Sequence, residues 1–246
     1  MLGEIHGGLD SQWSSLGAFW SGSPQAWEDK IKQFLAALTV VVLLGSPASG
    51  QATSDSKPDS SGSSASNLWS FSLTADGYVV PHSQFFVSPT VTADREWLHL
   101  EARYNYENQR TGSIWVGYNF SFGNKLIFEV TPMIGGVFGD STGVAPGYEV
   151  SLSYKRIVLS SSGEYVFDPK NKNESFFYSW PQLTYSPLDW FHVGLVAQRS
   201  KAYHTSFDTQ RGLLVGFSYK KAEFTTYILN PGWSDPTLVL EARWSF

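Results

Sequence analysis

The sequence predicts an all-β chain: an antiparallel up-and-down transmembrane β-barrel of about twelve strands. Three observations predict it. Aromatic residues make up 16% of the 246 residues, and charged residues also only 16%, against about 25% charged in an average soluble domain. No apolar run reaches the roughly 18 residues that a membrane helix needs. From residue 67 onward, apolar and polar residues alternate, with the period of two that belongs to strands. The same composition excludes other classes. With no Cys, disulfide scaffolds, thiolate catalysis and Cys-based metal sites are out. A net charge of −5 argues against nucleic acid as a partner, and the aromatic content excludes disorder for most of the chain.

The elements before the barrel read as follows. Lys30 and Lys32 precede the apolar stretch Phe34 to Leu44, and small, helix-breaking residues follow from Gly45 to Ala52. The stretch is too short to span a bilayer but suits the apolar region of a signal peptide, so residues 30–52 are expected to be cleaved on export. A buried core helix is the alternative, and the β-branched run without polar periodicity fits it poorly. Residues 1–29, with Trp13, Trp20 and Trp27 in no clear pattern, are expected to precede the true translational start. Residues 53–66 are Ser-rich and read as a flexible linker. The barrel is residues 67–246.

Alternation divides the barrel into strands 68–80, 84–93, 96–106, 112–122, 125–138, 147–155, 157–168, 175–187, 190–201, 210–219, 222–229 and 237–246. Tight connections at 94–95, 123–124, 156, 188–189 and 220–221 alternate with mostly longer ones, among them 139–146 and 202–209. Short turns on one side and longer loops on the other, an even strand count and both ends at the short-turn side are what a spanning barrel requires. The segment Ser160 to Gly163 is a weak strand; as a loop it would reduce the count to ten. Pro89, Pro132 and Pro181 fall inside strands, where each removes a donor, and bulges are expected there.

Period two also sorts the faces. Charges against lipid are costly, by about 2–4 kcal/mol for Arg or Lys at the midplane, so the polar face must be the lumen. It collects His99, Glu101, Arg103, Glu129, Glu149, Lys155, Glu223, Glu241 and Arg243 as the principal lumen-lining candidates, with Asn105, Asn119, Glu164, Gln182, His192 and Gln198. Leu-Glu-Ala-Arg occurs at 100–103 and again at 240–243, and an ion-pair ladder between the two copies across the lumen is expected. Aromatic residues near strand ends, including Tyr104, Tyr106, Tyr118, Phe138 and Trp244, are girdle candidates for the outward face.

At the end of the chain Leu238, Leu240, Ala242 and Trp244 alternate behind the terminal Phe246. This resembles the C-terminal signature by which outer-membrane barrels of Gram-negative bacteria are recognised by their assembly machinery. The resemblance, to a class defined by signal peptide, alternating barrel and final aromatic, covers residues 30–246, and within it the chain looks most like porin-like barrel proteins. It implies an outer-membrane location after export, with outer-membrane lipids and the barrel-assembly machinery as partners.

The sequence therefore predicts a small passive channel for small polar solutes. Its inward charges lean acidic, which favours cations. A closed structural barrel without conduction competes, because narrow barrels fill their interiors with side chains. An outer-membrane lipid hydrolase is the third reading. It would need a Ser hydroxyl beside a His ring near a rim, and the spacing of His82, His99, His192 and His204 suggests none. No catalytic residue, metal ligand set or cofactor is predicted.

Overall fold

A computed structural model describes residues 69–80, 84–232 and 236–246; the expected leader 1–29, signal peptide 30–52 and linker 53–66 lie outside the described residues. The strands are β1 (Ser70–Val79), β2 (Phe86–Arg95), β3 (Leu98–Tyr104), β4 (Thr111–Tyr118), β5 (Phe120–Phe122), β6 (Leu126–Gly139), β7 (Gly143–Tyr154), β8 (Ile157–Val166), β9 (Phe176–Leu188), β10 (Phe191–Ala202), β11 (Asp208–Tyr219), β12 (Ala222–Leu229) and β13 (Thr237–Ser245). Each pairs antiparallel with its sequence neighbour, except that β4 pairs with β6 across β5, and the first strand pairs with the last, Thr74 opposite Arg243 and Gly77 opposite Leu240. The sheet is thus a closed barrel. Segments β4 and β5 are one traversal interrupted at Asn119, since both pair with β6, which makes twelve strands. Ser160 to Gly163 lie within β8, in register with β7 and β9, so the ten-strand alternative falls.

Three of the tight turns are two-residue hairpins led by a residue with positive φ: Glu96 (51°), Lys155 (55°) and Lys220 (56°). The chain reverses at Glu96-Trp97 rather than at Asp94-Arg95, which leaves Asp94 on a strand opposite His99. At the other end of the barrel, β7 starts at Gly143, so the loop expected at 139–146 shrinks to 140–142.

The prolines do not produce the expected bulges. Each keeps the ladder on one side and loses it on the other, because a residue in an antiparallel strand directs its N–H to one neighbour only. Pro132 pairs with Tyr148 of β7 but faces the gap between the last β4 pair and the first β5 pair. Its missing donor is what divides β4 from β5. Pro89 pairs with Ala75 of β1, and the β2–β3 ladder stops at the next residue, Thr90. Side chains continue it: Ser88 Oγ donates to the Tyr104 carbonyl (3.2 Å) and Asn105 Nδ2 to the Val87 carbonyl (3.0 Å). Pro181 pairs with Ser161, and the β9–β10 ladder lapses opposite it. Pro146 follows the same rule, held by β6 and free of β8. The one register shift lies elsewhere, between Phe191 and Val193 on β10.

The two faces separate cleanly. The outward face carries exposed aliphatic residues in mid-strand, such as Ile114 (60% exposed), Ile134 (59%) and Leu195 (56%). Exposed aromatics flank them at the turn end (Tyr118, Phe122, Tyr154, Tyr185, Phe217, Tyr219) and at the loop end (Tyr104, Phe138, Phe167). This is the apolar band between aromatic girdles that a bilayer selects. Tyr106 leaves the expected girdle: it turns inward, where its ring takes the Arg103 guanidinium at 4.4 Å and meets Tyr178 edge-on at 5.7 Å.

The core lies inside the barrel, in the half toward the longer loops. One cluster joins Trp115, Met133, Val137, Ala145 and Val166, and another joins Val196, Leu214, Tyr227, Leu229 and Val239. Trp115 is fully buried because its neighbours on β6 and β7 have no side chain. A Cβ at Gly135 would stand 2.4 Å from Trp115 Cδ2, and one at Gly147 2.8 Å from its Cζ3. Gly135 is thus the bed of an indole ring.

Two outcomes follow from this partition. Ile134→Arg should destabilise the barrel by about 2–4 kcal/mol in lipid, whereas an exposed position on a soluble sheet would tolerate it within about 0.5 kcal/mol. Urea unfolding in vesicles measures the difference. Gly135→Ala should cost about 1–3 kcal/mol in the same titration, because the indole cannot move aside in a packed interior.

Candidate functional site

The half of the lumen toward the tight turns is a cavity of about 730 Å³, within the range of small-molecule sites. Its walls come from nearly every strand, because each contributes its inward set. Asp76, Asp94, Glu96, Glu101, Glu129, Glu149 and Glu241 line it, against two guanidinium groups, Arg103 and Arg243. Glu96 sits in the β2–β3 turn and is exposed, as are Glu129 and Arg243, so the cavity opens at the turn end. The opposite half is packed. Ser88, Thr111, Ser113, Ala145, Val166 and Leu229 all point inward there and are buried.

Arg103 sits at the boundary between the two halves and is buried. Its Nε and one terminal nitrogen hold both oxygens of Glu101, at 2.7 and 3.0 Å. The other terminal nitrogen reaches Glu164 Oε2 across the lumen at 2.7 Å, with Glu107 Oε1 at 4.0 Å. Its planar face lies 4.5 Å over the Trp115 ring as well as over Tyr106. Only a guanidinium offers this fork and two stacking faces together. Glu107, from the β3–β4 loop, accepts from Ser113 Oγ at 2.5 Å, and Ser113 Oγ in turn accepts from Trp115 Nε1 at 2.9 Å. Three buried carboxylates therefore surround one cation, and Glu107 Oε2 and Glu164 Oε1 have no hydrogen-bond partner among the described residues. Burial pushes the Glu107 carboxyl above the usual carboxylate range.

Nearer the open end, His99 Nδ1 lies 2.8 Å from Asp94 Oδ1 and His99 Nε2 lies 3.4 Å from Glu101 Oε2. Asn119 Nδ2 donates to the same Asp94 oxygen at 2.9 Å and its Oδ1 accepts from Thr131 Oγ1 at 2.7 Å. On the opposite arc, Glu241 accepts from the Tyr227 hydroxyl at 3.1 Å, and Arg243 Nε donates to Thr74 Oγ1 at 3.2 Å. His192 Nε2 is 3.0 Å from Thr225 Oγ1 and 3.8 Å from Glu223 Oε1. A hydroxyl and a carboxylate on the same ring nitrogen do not make a relay, in which the carboxylate must orient the opposite nitrogen.

Of the principal lumen candidates, His99, Glu101, Arg103, Glu129, Glu149, Glu241 and Arg243 border the cavity, and Glu223 shares their inward face beside His192. Lys155 does not. It occupies the left-handed position of the β7–β8 turn and is exposed, its ammonium 5.3 Å from the Tyr154 ring. The two Leu-Glu-Ala-Arg copies do not face each other either. Strands β3 and β13 are separated by β2 and β1 on one wall, about 14 Å apart at ordinary strand spacing, so no ladder joins the copies: Arg103 pairs with Glu101 and Glu164, whereas Arg243 donates to Thr74. Leu238, Leu240, Ala242, Trp244 and Phe246 have the outward parity of β13, opposite to that of Val239, Glu241 and Arg243. Sequence reasoning missed Asp76, Asp94, Glu107 and Trp115. The first two share a face with Thr74 and Thr92, so alternation alone could have found Asp76 as it stood, and Asp94 once the turn was placed two residues later. Glu107 lies in a loop and Trp115 has the look of a girdle residue, and no sequence period marks either.

A scan against protein-family models finds no match for this chain, and a search of the curated proteins finds none. Solved structures do resemble it. A KdgM porin aligns with a TM-score of 0.52 and 12% identity over 71% of this chain and 99% of its own. A KdgM porin in complex with disordered oligogalacturonate aligns with a TM-score of 0.51 and 11% identity over the same shares. The fold is that of a porin barrel: closed, antiparallel and twelve-stranded.

Proposed function

We propose that this chain is a small porin-like channel of the bacterial outer membrane, carrying small polar solutes with a preference for cations. One observation carries the reading: inside a barrel whose outer face suits lipid lies a cavity of about 730 Å³ with seven carboxylates and two guanidinium groups on its walls. A closed structural barrel needs no open acidic vestibule. Carboxylate excess in a low-dielectric wall focuses cations. A polyanion such as the oligogalacturonate bound by one of the structural neighbours would meet repulsion in this lumen, so the likeness of fold does not carry that guest over. The porin fold also favours a channel over a lipid hydrolase, and the His192 arrangement gives that chemistry no relay.

The second reading, a barrel without conduction, has its own support in the packed half of the lumen, where Arg103 is held by Glu101 and Glu164 between the Tyr106 and Trp115 rings. On the channel reading these side chains are a narrow constriction. Planar-bilayer recording of the refolded chain separates the two. A small conductance with a cation-selective reversal potential is expected from the native chain. Tyr106→Ala should enlarge it several-fold, because one ring of the constriction is removed while the Arg103–Glu164 pair stays. A signal no greater than the bare-bilayer leak from both proteins would end the channel reading.

A further inference from the structure

Within the vestibule, one cluster has the geometry of a metal site. His99 and Glu101 are neighbours on the inward face of β3, and Glu149 comes from β7. One ring nitrogen and one oxygen from each carboxylate lie within 4.8 Å of one another. The surrounding contacts order this cluster. Asp94 accepts from His99 Nδ1 at 2.8 Å and is itself held by Asn119, which leaves Nε2 turned toward Glu101. A carboxylate on the far ring nitrogen is the usual support of a metal-binding imidazole. Arg103 grips Glu101 from the other side and fixes its orientation. Glu149 has no hydrogen bond or ion pair among the described residues, although its backbone is clamped between Thr131 and Ser162. Its carboxylate is therefore the unspent group of the cluster.

The spacing identifies the guest. His99 Nε2 and Glu101 Oε2 face each other at 3.4 Å. Two lone pairs at that distance repel unless positive charge lies between them. Metal–ligand bonds of about 2.0–2.2 Å in a tetrahedron put neighbouring ligand atoms about 3.3–3.6 Å apart, which is the separation of this pair, and the Glu149 oxygen lies within 4.8 Å of both. An imidazole in the set selects a borderline metal over magnesium or calcium, which prefer all-oxygen shells. We propose that His99 Nε2, Glu101 Oε2 and the Glu149 carboxylate form a three-ligand site for a divalent cation of the zinc class, with its remaining coordination open to the vestibule. The site is independent of conduction, since it needs only the folded lumen.

The competing account is a proton: an imidazolium shared by Asp94 and Glu101 gives the same two distances. Titration calorimetry of zinc chloride into the untagged, refolded full-length barrel distinguishes them. One equivalent should bind, a tenfold excess of magnesium should not displace it, and Asp94→Asn should weaken it by about 10- to 100-fold. Glu149→Gln and His99→Gln should each weaken it at least about tenfold, while His204→Gln, in an exposed loop, should leave it unchanged. If His99→Gln fails to fold, as judged by heat-modified gel migration, Glu149→Gln carries the test, because Glu149 makes no bond whose loss could unfold the barrel. No saturable zinc binding by the native chain, equal displacement by magnesium, or native affinity in Glu149→Gln would overturn the proposal. A barrel that binds zinc yet stays silent in bilayers would end the channel reading and leave this site standing.

Discussion

In hydrocarbon no water is available to a backbone N–H or C=O, so every one of them must be satisfied within the structure. The pairing of the first strand with the last meets that demand by removing both edges of the sheet. The rest of the architecture follows from it. Antiparallel closure requires an even number of traversals, and the count is even because β4 and β5, both paired with β6, form one. The prolines show how strictly the demand operates. Each is placed so that one ladder survives intact, and at Pro89 two side-chain hydrogen bonds supply what the ring removed. A bulge would have been the other solution, but it would have shifted the register of every residue beyond it. In a barrel whose faces differ this much, such a shift exchanges lipid-facing Ile134 for lumen-facing Gly135.

Closure also fixes the volume of the interior, and twelve strands enclose more than side chains of ordinary size fill. The chain resolves this unevenly. Toward the longer loops it uses large rings, and it makes room for them with glycines on the facing strands, Gly135 and Gly147 beneath Trp115. Toward the turns it uses short polar side chains such as Ser72, Ser151 and Ser160, and leaves space for water. Arg103 belongs to both halves: its guanidinium stacks on the rings of one and pairs with the carboxylates of the other. A buried charge held this way costs a great deal if a partner is removed and contributes little net stability when intact. Its value is in fixing where packing stops and the vestibule starts.

Much of this was legible in the sequence, and the reason is the period of two. Alternation located all twelve strands to within a few residues and assigned the inward parity of His99, Glu101, Glu149, Glu241 and Arg243, because a strand offers only two directions. What alternation cannot carry is information about a third dimension. It does not say which strands stand opposite one another, so the two Leu-Glu-Ala-Arg copies looked like cross-lumen partners although they share a wall. Nor does it operate in turns, where Lys155 has the parity of a lumen residue and the backbone of a hairpin. Loop residues are invisible to it altogether. Glu107 and Tyr106 reach back into the barrel from a segment with no period, and the Arg103 centre is incomplete without them.

The lumen also shows why a shared barrel constrains function so weakly. Closure and the apolar band are dictated by the lipid, and any chain that solves the same problem converges on them; here twelve strands are shared at 12% identity. The inward set is under no such constraint. Each lumen residue can change without disturbing the ladder or the outer face, because its neighbours in the chain point the other way. The sign of the vestibule is therefore a property of this chain alone. Here it is acidic, with carboxylates contributed by β1, β2, β3, β6, β7 and β13 and spread around the wall. Charges so distributed cannot all be matched by two guanidinium groups. The excess must be balanced by mobile cations drawn from the open end, or by protons on the most enclosed carboxyls. Either way the barrel holds positive charge in reserve behind its turn-side opening.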